Sequence, residues 1–253
     1  MWKRFVKFYH QMGSPKEFYR ISAYFIPWFA GLFFLTVIVG AFWGLVIAPA
    51  DYQQGEAYRI IFVHVPAAWS SLFIYVSMAI AAIGGFIWRI KTAFMVCVCS
   101  APIGAAFTLI ALATGSLWGK PMWGTWWVWD ARLTSELILF FLYLGVFALY
   151  HAYDNKKTGE KAAAILSIVG AVNVPIIHYS VVWWNSLHQT STVLKSGGPA
   201  MPASMLWPLL LMAFAFKFYY GWILFVRMRH HILTERQNSA WAKQVTTNHK
   251  EHK

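Results

Sequence analysis

Apolar residues fall along this chain in six long blocks separated by short polar stretches, at about residues 23–47, 60–88, 92–114, 131–151, 162–183 and 204–226. A helix needs about 20 apolar residues to cross the roughly 30 Å hydrocarbon core of a bilayer, and each block reaches that length. Lipid offers backbone groups no hydrogen-bond partner, so an open chain of such blocks must span as helices. The pattern therefore predicts an all-α integral membrane protein, a bundle of six transmembrane helices forming a single polytopic membrane domain over residues 1–253. Pro27 stands near the start of the first block, where a proline is tolerated. That block is too long for the core of a cleavable signal peptide. From about residue 227 to 253 the chain is a polar, basic tail, expected to fray.

Composition agrees with this reading. The 253 residues are 59% hydrophobic and only 12% charged, against about 25% charged for a soluble domain. A net charge of +12 raises the question of nucleic acid, but the basic residues sit at block ends, where membrane topology accounts for them. Of the 21 lysines and arginines, 16 fall on the side shared by the two termini, the 89–91 turn and the 152–161 loop. Four, Arg59, Lys120, Arg132 and Lys195, fall on the other side. Positive loops stay in the cytoplasm. Both termini are therefore expected there, and the loops at 48–59, about 115–131 and 184–203 are expected outside. Cys97 and Cys99 are two positions apart in a helix and point to nearly opposite sides, so they suit neither a disulfide nor a shared metal. No Cys-x-x-Cys-His is present, so the chain is not itself a c-type cytochrome.

The outer loops hold the candidate chemistry. Five of the 15 tryptophans, Trp118, Trp123, Trp126, Trp127 and Trp129, lie within twelve residues, interleaved with Gly119, Pro121 and Gly124. Glycine and proline are poor in a helix interior, so this stretch is expected to be a loop. Indoles suit the membrane–water boundary. An aromatic belt is one reading of the stretch, and a platform for a flat apolar ligand is the other. His64 and His188 are the two histidines on the outer side, and they flank the tryptophan stretch in sequence. If their loops meet, two imidazoles face each other across the platform, which is the arrangement a haem iron needs. The plainer alternatives are a polar residue at a helix start and an ordinary loop histidine. His178, inside the fifth block, is expected to face the bundle interior with a hydrogen-bond partner, and it is the reserve ligand. Asp130 stands where the fourth helix begins and favours the positive end of its dipole. Arg132 and Glu136, four apart, can pair along that helix. Alternatively, Lys120 or Arg132 meets an anionic ligand edge such as a haem propionate. Asn185, Gln189, Thr190, Ser191 and Thr192 supply donors in no catalytic order. No nucleophile–base arrangement, phosphate loop or carboxylate pair is present to carry a hydrolase reading.

The run Trp118-Gly-Lys-Pro-Met-Trp-Gly-Thr-Trp-Trp-Val-Trp-Asp-Ala-Arg-Leu-Thr134 resembles the tryptophan-rich WWD signature of the haem-handling protein superfamily. Within it, the chain resembles the haem exporter protein C family of bacterial cytochrome c maturation. The segments at 58–68, around His64, and at 177–189, around His188, resemble that family too. The resemblance implies a multi-pass protein of the bacterial inner membrane that binds haem b at its periplasmic face. His64 and His188 would be the axial iron ligands. Trp118, Trp123, Trp126, Trp127, Trp129, Asp130 and Arg132 would line the site. It also implies presentation of haem for covalent attachment to a periplasmic haem chaperone. The implied neighbours are a small one-span subunit and a two-part ATP-driven transporter. In this reading the protein assists a reaction without being a formal enzyme. Two alternatives stay open. One is a transporter moving haem through the bundle, where His178, Asn173 and Lys217 are the main polar groups at depth. The other is a scaffold that recruits the chaperone while another subunit holds the haem.

Overall fold

Proline lacks an N–H to donate, a defect without cost in the first turn of a helix, and the first helix, α1 (Pro15–Phe42), starts on one. The computed structural model describes residues 13–184, 186–188, 193 and 197–251, with side chains as far as residue 245. A π-helical turn, Trp43–Ile47, continues α1, and a 3₁₀ turn, Glu56–Ile60, leads into α2 (Ile61–Trp88). Then follow α3 (Lys91–Trp123), α4 (Ala131–Ala152), α5 (Lys156–Gly170), α6 (Asn173–Trp183), α7 (Ala203–Glu235) and α8 (Ala240–Glu251). Among the described residues, six segments are long and apolar enough to cross a membrane: Pro15–Ile47, Glu56–Trp88, Lys91–Trp123, Ala131–Ala152, Lys156–Trp183 and Ala203–Glu235. The chain is an all-α, multi-pass membrane protein.

Three boundaries differ from the expectation. The helix expected to end near residue 114 runs on through Trp118 to Trp123. Pro121 lies in its last turn, where it forfeits few backbone bonds. The helix closes at Gly124, whose φ of 77° is open to glycine and whose N–H returns to the Lys120 carbonyl at 3.1 Å. The tryptophan loop thus shrinks to residues 124–130. The fifth span breaks at Ala171 and Val172 into α5 and α6, because Pro175 cannot donate to the Ala171 carbonyl and its ring crowds that group. The tail does not fray at residue 227. Met228 and Ile232 of α7 are buried in a cluster with Phe18, Met95 and Cys99, and this packing carries the helix on to Glu235.

The core lies between α2, α3, α4 and α5, with Tyr220 of α7 reaching in. At its centre the Tyr75 and Tyr143 rings meet edge to face at 4.9 Å, and the Tyr143 hydroxyl donates to the Ser71 carbonyl at 2.6 Å. α1 lies along α7 and buries only Phe18, Ser22 and Gly40, leaving most of its surface to lipid. Cys97 belongs to the central cluster and Cys99 to the neighbouring one, and both thiols are free. Gly104 lets the Tyr143 ring lie against α3, since a Cβ there would stand 2.1 Å from the ring. Gly104→Ala is expected to destabilise the protein by about 1–3 kcal/mol or more through overpacking. Gly31→Ala, with nothing within 4 Å, should leave it as stable as before. Thermal melting of both variants in detergent checks this, and equal melting temperatures would contradict it.

Candidate functional site

At one end of the bundle the first turn of α2, the end of α3, the start of α4 and the segment after α6 converge. His64, in the first turn of α2, turns its ring toward α3. Its Nδ1 lies 3.0 Å from the Ala111 carbonyl and 3.1 Å from the Thr114 hydroxyl. A carbonyl only accepts, so Nδ1 carries the hydrogen and Nε2 keeps its lone pair. Gly115 makes room for this ring, because a Cβ there would come within 3.0 Å of His64 Cε1.

His188 is placed by a relay that starts on α4. Asp130 is buried and caps that helix, accepting the Leu133 N–H at 2.8 Å. Its other oxygen accepts the Ser186 hydroxyl. The Ser186 oxygen in turn accepts the His188 N–H at 3.1 Å. The cap therefore does more than satisfy the helix dipole, since it tethers the segment that carries the histidine. Burial, and then the Arg132 guanidinium, push the His188 imidazole down to about 4, with Asp130 opposing. At neutral pH the ring is uncharged, as a metal ligand must be. Its Nδ1 is buried with no hydrogen-bond partner among the described residues, an orphan of a kind that is rare in folded proteins.

The His64 and His188 ring centres are 6.3 Å apart. Trp118 meets the His64 ring edge-on at 5.7 Å and donates its indole N–H to Gln54 at 3.0 Å. Trp123 lies against His188 at 5.1 Å. A cavity of about 30 Å³ sits between the two histidines, lined also by Gly115, Arg132, Leu133 and Glu136. That is room for a water molecule.

The five tryptophans do not form one shelf. Trp118 and Trp123 end α3 beside the histidines. Trp127 is half-buried, and its indole nitrogen is buried without a partner among the described residues. Trp126 and Trp129 are 54% and 75% exposed. Lys120 donates to the Gly124 carbonyl at 3.0 Å and so closes its own turn, whereas Arg132 lines the cavity with the histidines. Arg132 and Glu136 do not pair with each other as expected. Each instead satisfies a buried partner on a neighbouring helix: Arg132 donates to the Ile177 carbonyl at 2.7 Å, and Glu136 accepts from Ser71 at 2.8 Å.

His178 points outward, against expectation. α6 buries Asn173, Ile177 and Ser180, and that spacing leaves position 178 on the far side. Asn173 donates to the Ser135 carbonyl at 2.9 Å. Lys217 donates to the Trp69 carbonyl and the Ser70 hydroxyl, both at 3.2 Å. Asn185, Gln189, Thr190, Ser191, Thr192 and Lys195 lie outside the described residues. The residues that sequence reasoning missed are Gln54, Thr114, Gly115 and Ser186. Only Ser186 carried a local signal, standing two positions before a candidate ligand.

A family model described as heme exporter protein C matches residues 8–243, which takes in every residue of this site. The chain belongs to the heme exporter protein C family. A protein of that name from Escherichia coli strain K12 is 50% identical over 97% of this chain and 97% of its own length. Another, from Bradyrhizobium diazoefficiens, is 46% identical over 93% and 89%. A Marchantia polymorpha protein named as a putative cytochrome c biosynthesis ccmC-like mitochondrial protein is 44% identical over 79% and 89%.

Proposed function

We propose that this protein handles haem in cytochrome c maturation, holding haem b at the periplasmic end of its bundle and presenting it to a periplasmic haem chaperone. The pair of imidazoles carries the reading. An iron bridged by two imidazoles puts their ring centres about 6 Å apart, from metal–nitrogen bonds of about 2 Å and about 1 Å from each nitrogen to its ring centre. His64 and His188 stand at 6.3 Å, one with its Nε2 lone pair kept open and the other with a buried, unpartnered Nδ1. Among the described residues no three His, Cys, Asp or Glu side chains gather to hold a bare metal ion. A porphyrin brings four nitrogens of its own and asks only two ligands of the protein; the cavity of about 30 Å³ between the histidines would have to open to admit its ring.

Around that pair, Trp118 and Trp123 offer apolar walls for a macrocycle. Arg132 offers a cation for a propionate. The charge asymmetry of the loops supports placing this end in the periplasm and the termini in the cytoplasm. Bound haem would supply the vinyl group to which the chaperone's histidine becomes attached. The chain's own residues bind and orient, a contribution of proximity, so the protein assists the reaction without being a formal enzyme. Family membership supports a small one-span subunit and a two-part ATP-driven transporter as its neighbours.

The exposed Trp126 and Trp129 are the docking edge for the chaperone. Replacing both with alanine is expected to leave the protein's own haem content unchanged and to lower chaperone loading about tenfold or more, as loss of aromatic anchors does. Haem-stained gels of the co-expressed chaperone read the loading. Normal loading would remove these two residues from docking, and a parallel loss of haem would put them in the pocket instead.

A further inference from the structure

We propose that Thr114 is a positioning residue for His64, its hydroxyl joining the Ala111 carbonyl as a second acceptor of the imidazole Nδ1–H and strengthening electron donation from the opposite ring nitrogen. The inference rests on the reading of His64 as an iron ligand. Thr114 is on α3 and His64 on α2, so the contact between them, across 50 positions of sequence, ties the ligand's ring to a second helix.

The polarity of the contact follows from counting hydrogens. A threonine hydroxyl has one hydrogen and two lone pairs. That hydrogen goes to the Ile110 carbonyl at 2.6 Å, with Ala111 O a further 3.3 Å neighbour. Toward His64 Nδ1, at 3.1 Å, the Thr114 oxygen can therefore only accept. The Ala111 carbonyl, at 3.0 Å, can only accept as well. Two acceptors converge on one ring nitrogen, and both require Nδ1–H. The opposite tautomer would set three lone-pair-bearing atoms against one another inside the bundle. Back-bonding to Ile110 alone would satisfy the hydroxyl, but it does not account for the ring nitrogen brought to the other side of the same oxygen. Gly115, the next residue, is what lets the ring come this close.

Acceptors on the outer N–H of a ligating histidine make the imidazole more basic and hold its ring orientation. A more basic ligand favours ferric over ferrous iron. Thr114→Val keeps the shape and removes one acceptor while leaving the Ala111 carbonyl in place. Thr114→Ser keeps the hydroxyl and removes the methyl.

The test is the midpoint potential of haem bound to the purified full chain, measured by optical redox titration for the wild type, Thr114→Val, Thr114→Ser and His64→Ala. Thr114→Val should shift the ferric-to-ferrous preference toward ferrous by about threefold to tenfold, the upper figure corresponding to about 59 mV for one electron. Thr114→Ser should restore the wild-type value. Loss of haem from the valine variant alone, with helical content and elution unchanged, supports the same role. An unchanged potential in Thr114→Val overturns the proposal. So does a serine variant shifted as far as the valine one, because the methyl would then be what matters. A wild-type haem spectrum that persists unaltered in His64→Ala sinks the ligand reading itself, and that failure is visible without reference to Thr114.

Discussion

Replacing His64 and His188 together by alanine is expected to abolish the two-imidazole haem spectrum of the purified protein at unchanged protein yield. The wild type in mild detergent should show a six-coordinate haem with nitrogen ligands on both faces. In the proposed site each imidazole would contribute one bond to the iron. Disturbing only the outer partners of such ligands typically lowers metal affinity about 10- to 100-fold, so removing both ligands should lower haem content by at least the upper figure. The fold should survive. Ala111 and Thr114 lie inside α3, and the Thr114 hydroxyl keeps its bond to Ile110. Neither histidine belongs to the buried cores. The visible absorption spectrum decides. An unchanged spectrum in the double variant would place the iron ligands elsewhere. No haem in either sample would favour a scaffold, or a site completed by a partner subunit.

Gly115→Val should come close to the same loss by a different route. A Cβ at position 115 would stand 3.0 Å from His64 Cε1 and 3.5 Å from Nδ1. The branched side chain adds two further carbons on the same side and drives the ring away from Ala111 and Thr114. The helix itself gains from losing a glycine, by roughly a few tenths of a kcal/mol for valine, whose helix propensity lies between those of alanine and glycine. Haem content and stability should therefore separate: haem falls on the order of tenfold or more, while the melting temperature of the haem-free protein holds or rises. Gly104→Ala is the opposite case, because its clash is with a core tyrosine and its cost falls on stability. Wild-type haem content in Gly115→Val would mean that the His64 ring can leave its seat on α3 without loss of function.

Much of the architecture is legible from hydrophobicity alone. Six blocks long enough for a bilayer force six helical spans, since lipid satisfies no backbone group, and charge at the block ends predicts their sidedness. The candidate site is legible in part. His64, His188 and the tryptophans stand out by type and by their place near the block ends expected outside, and Asp130 by its place before a helix. The long tryptophan-rich run points to the family. Other features needed the folded chain. Periodicity does not show that α3 runs on to Trp123, because the end of that helix depends on Gly124 adopting a positive φ. The expectation for His178 failed because α6 is short and its buried face is chosen by what Asn173 and Ile177 pack against.

The composition of the chain, its six spans and the residue types available for an iron site were determined by the sequence by itself, because each depends on local length, polarity and chemistry. The distance between the two histidines, the division of the tryptophans into those beside the histidines and those exposed, and the contacts of Thr114 and Ser186 came only with the packed chain. Thr114 meets His64 across 50 positions and Ser186 meets Asp130 across 56, and the two histidines lie farther apart in sequence still. Such relations arise when helices packed on a shared core bring one helix's carbonyls and hydroxyls against another's side chains, and no local pattern along the chain encodes which will meet.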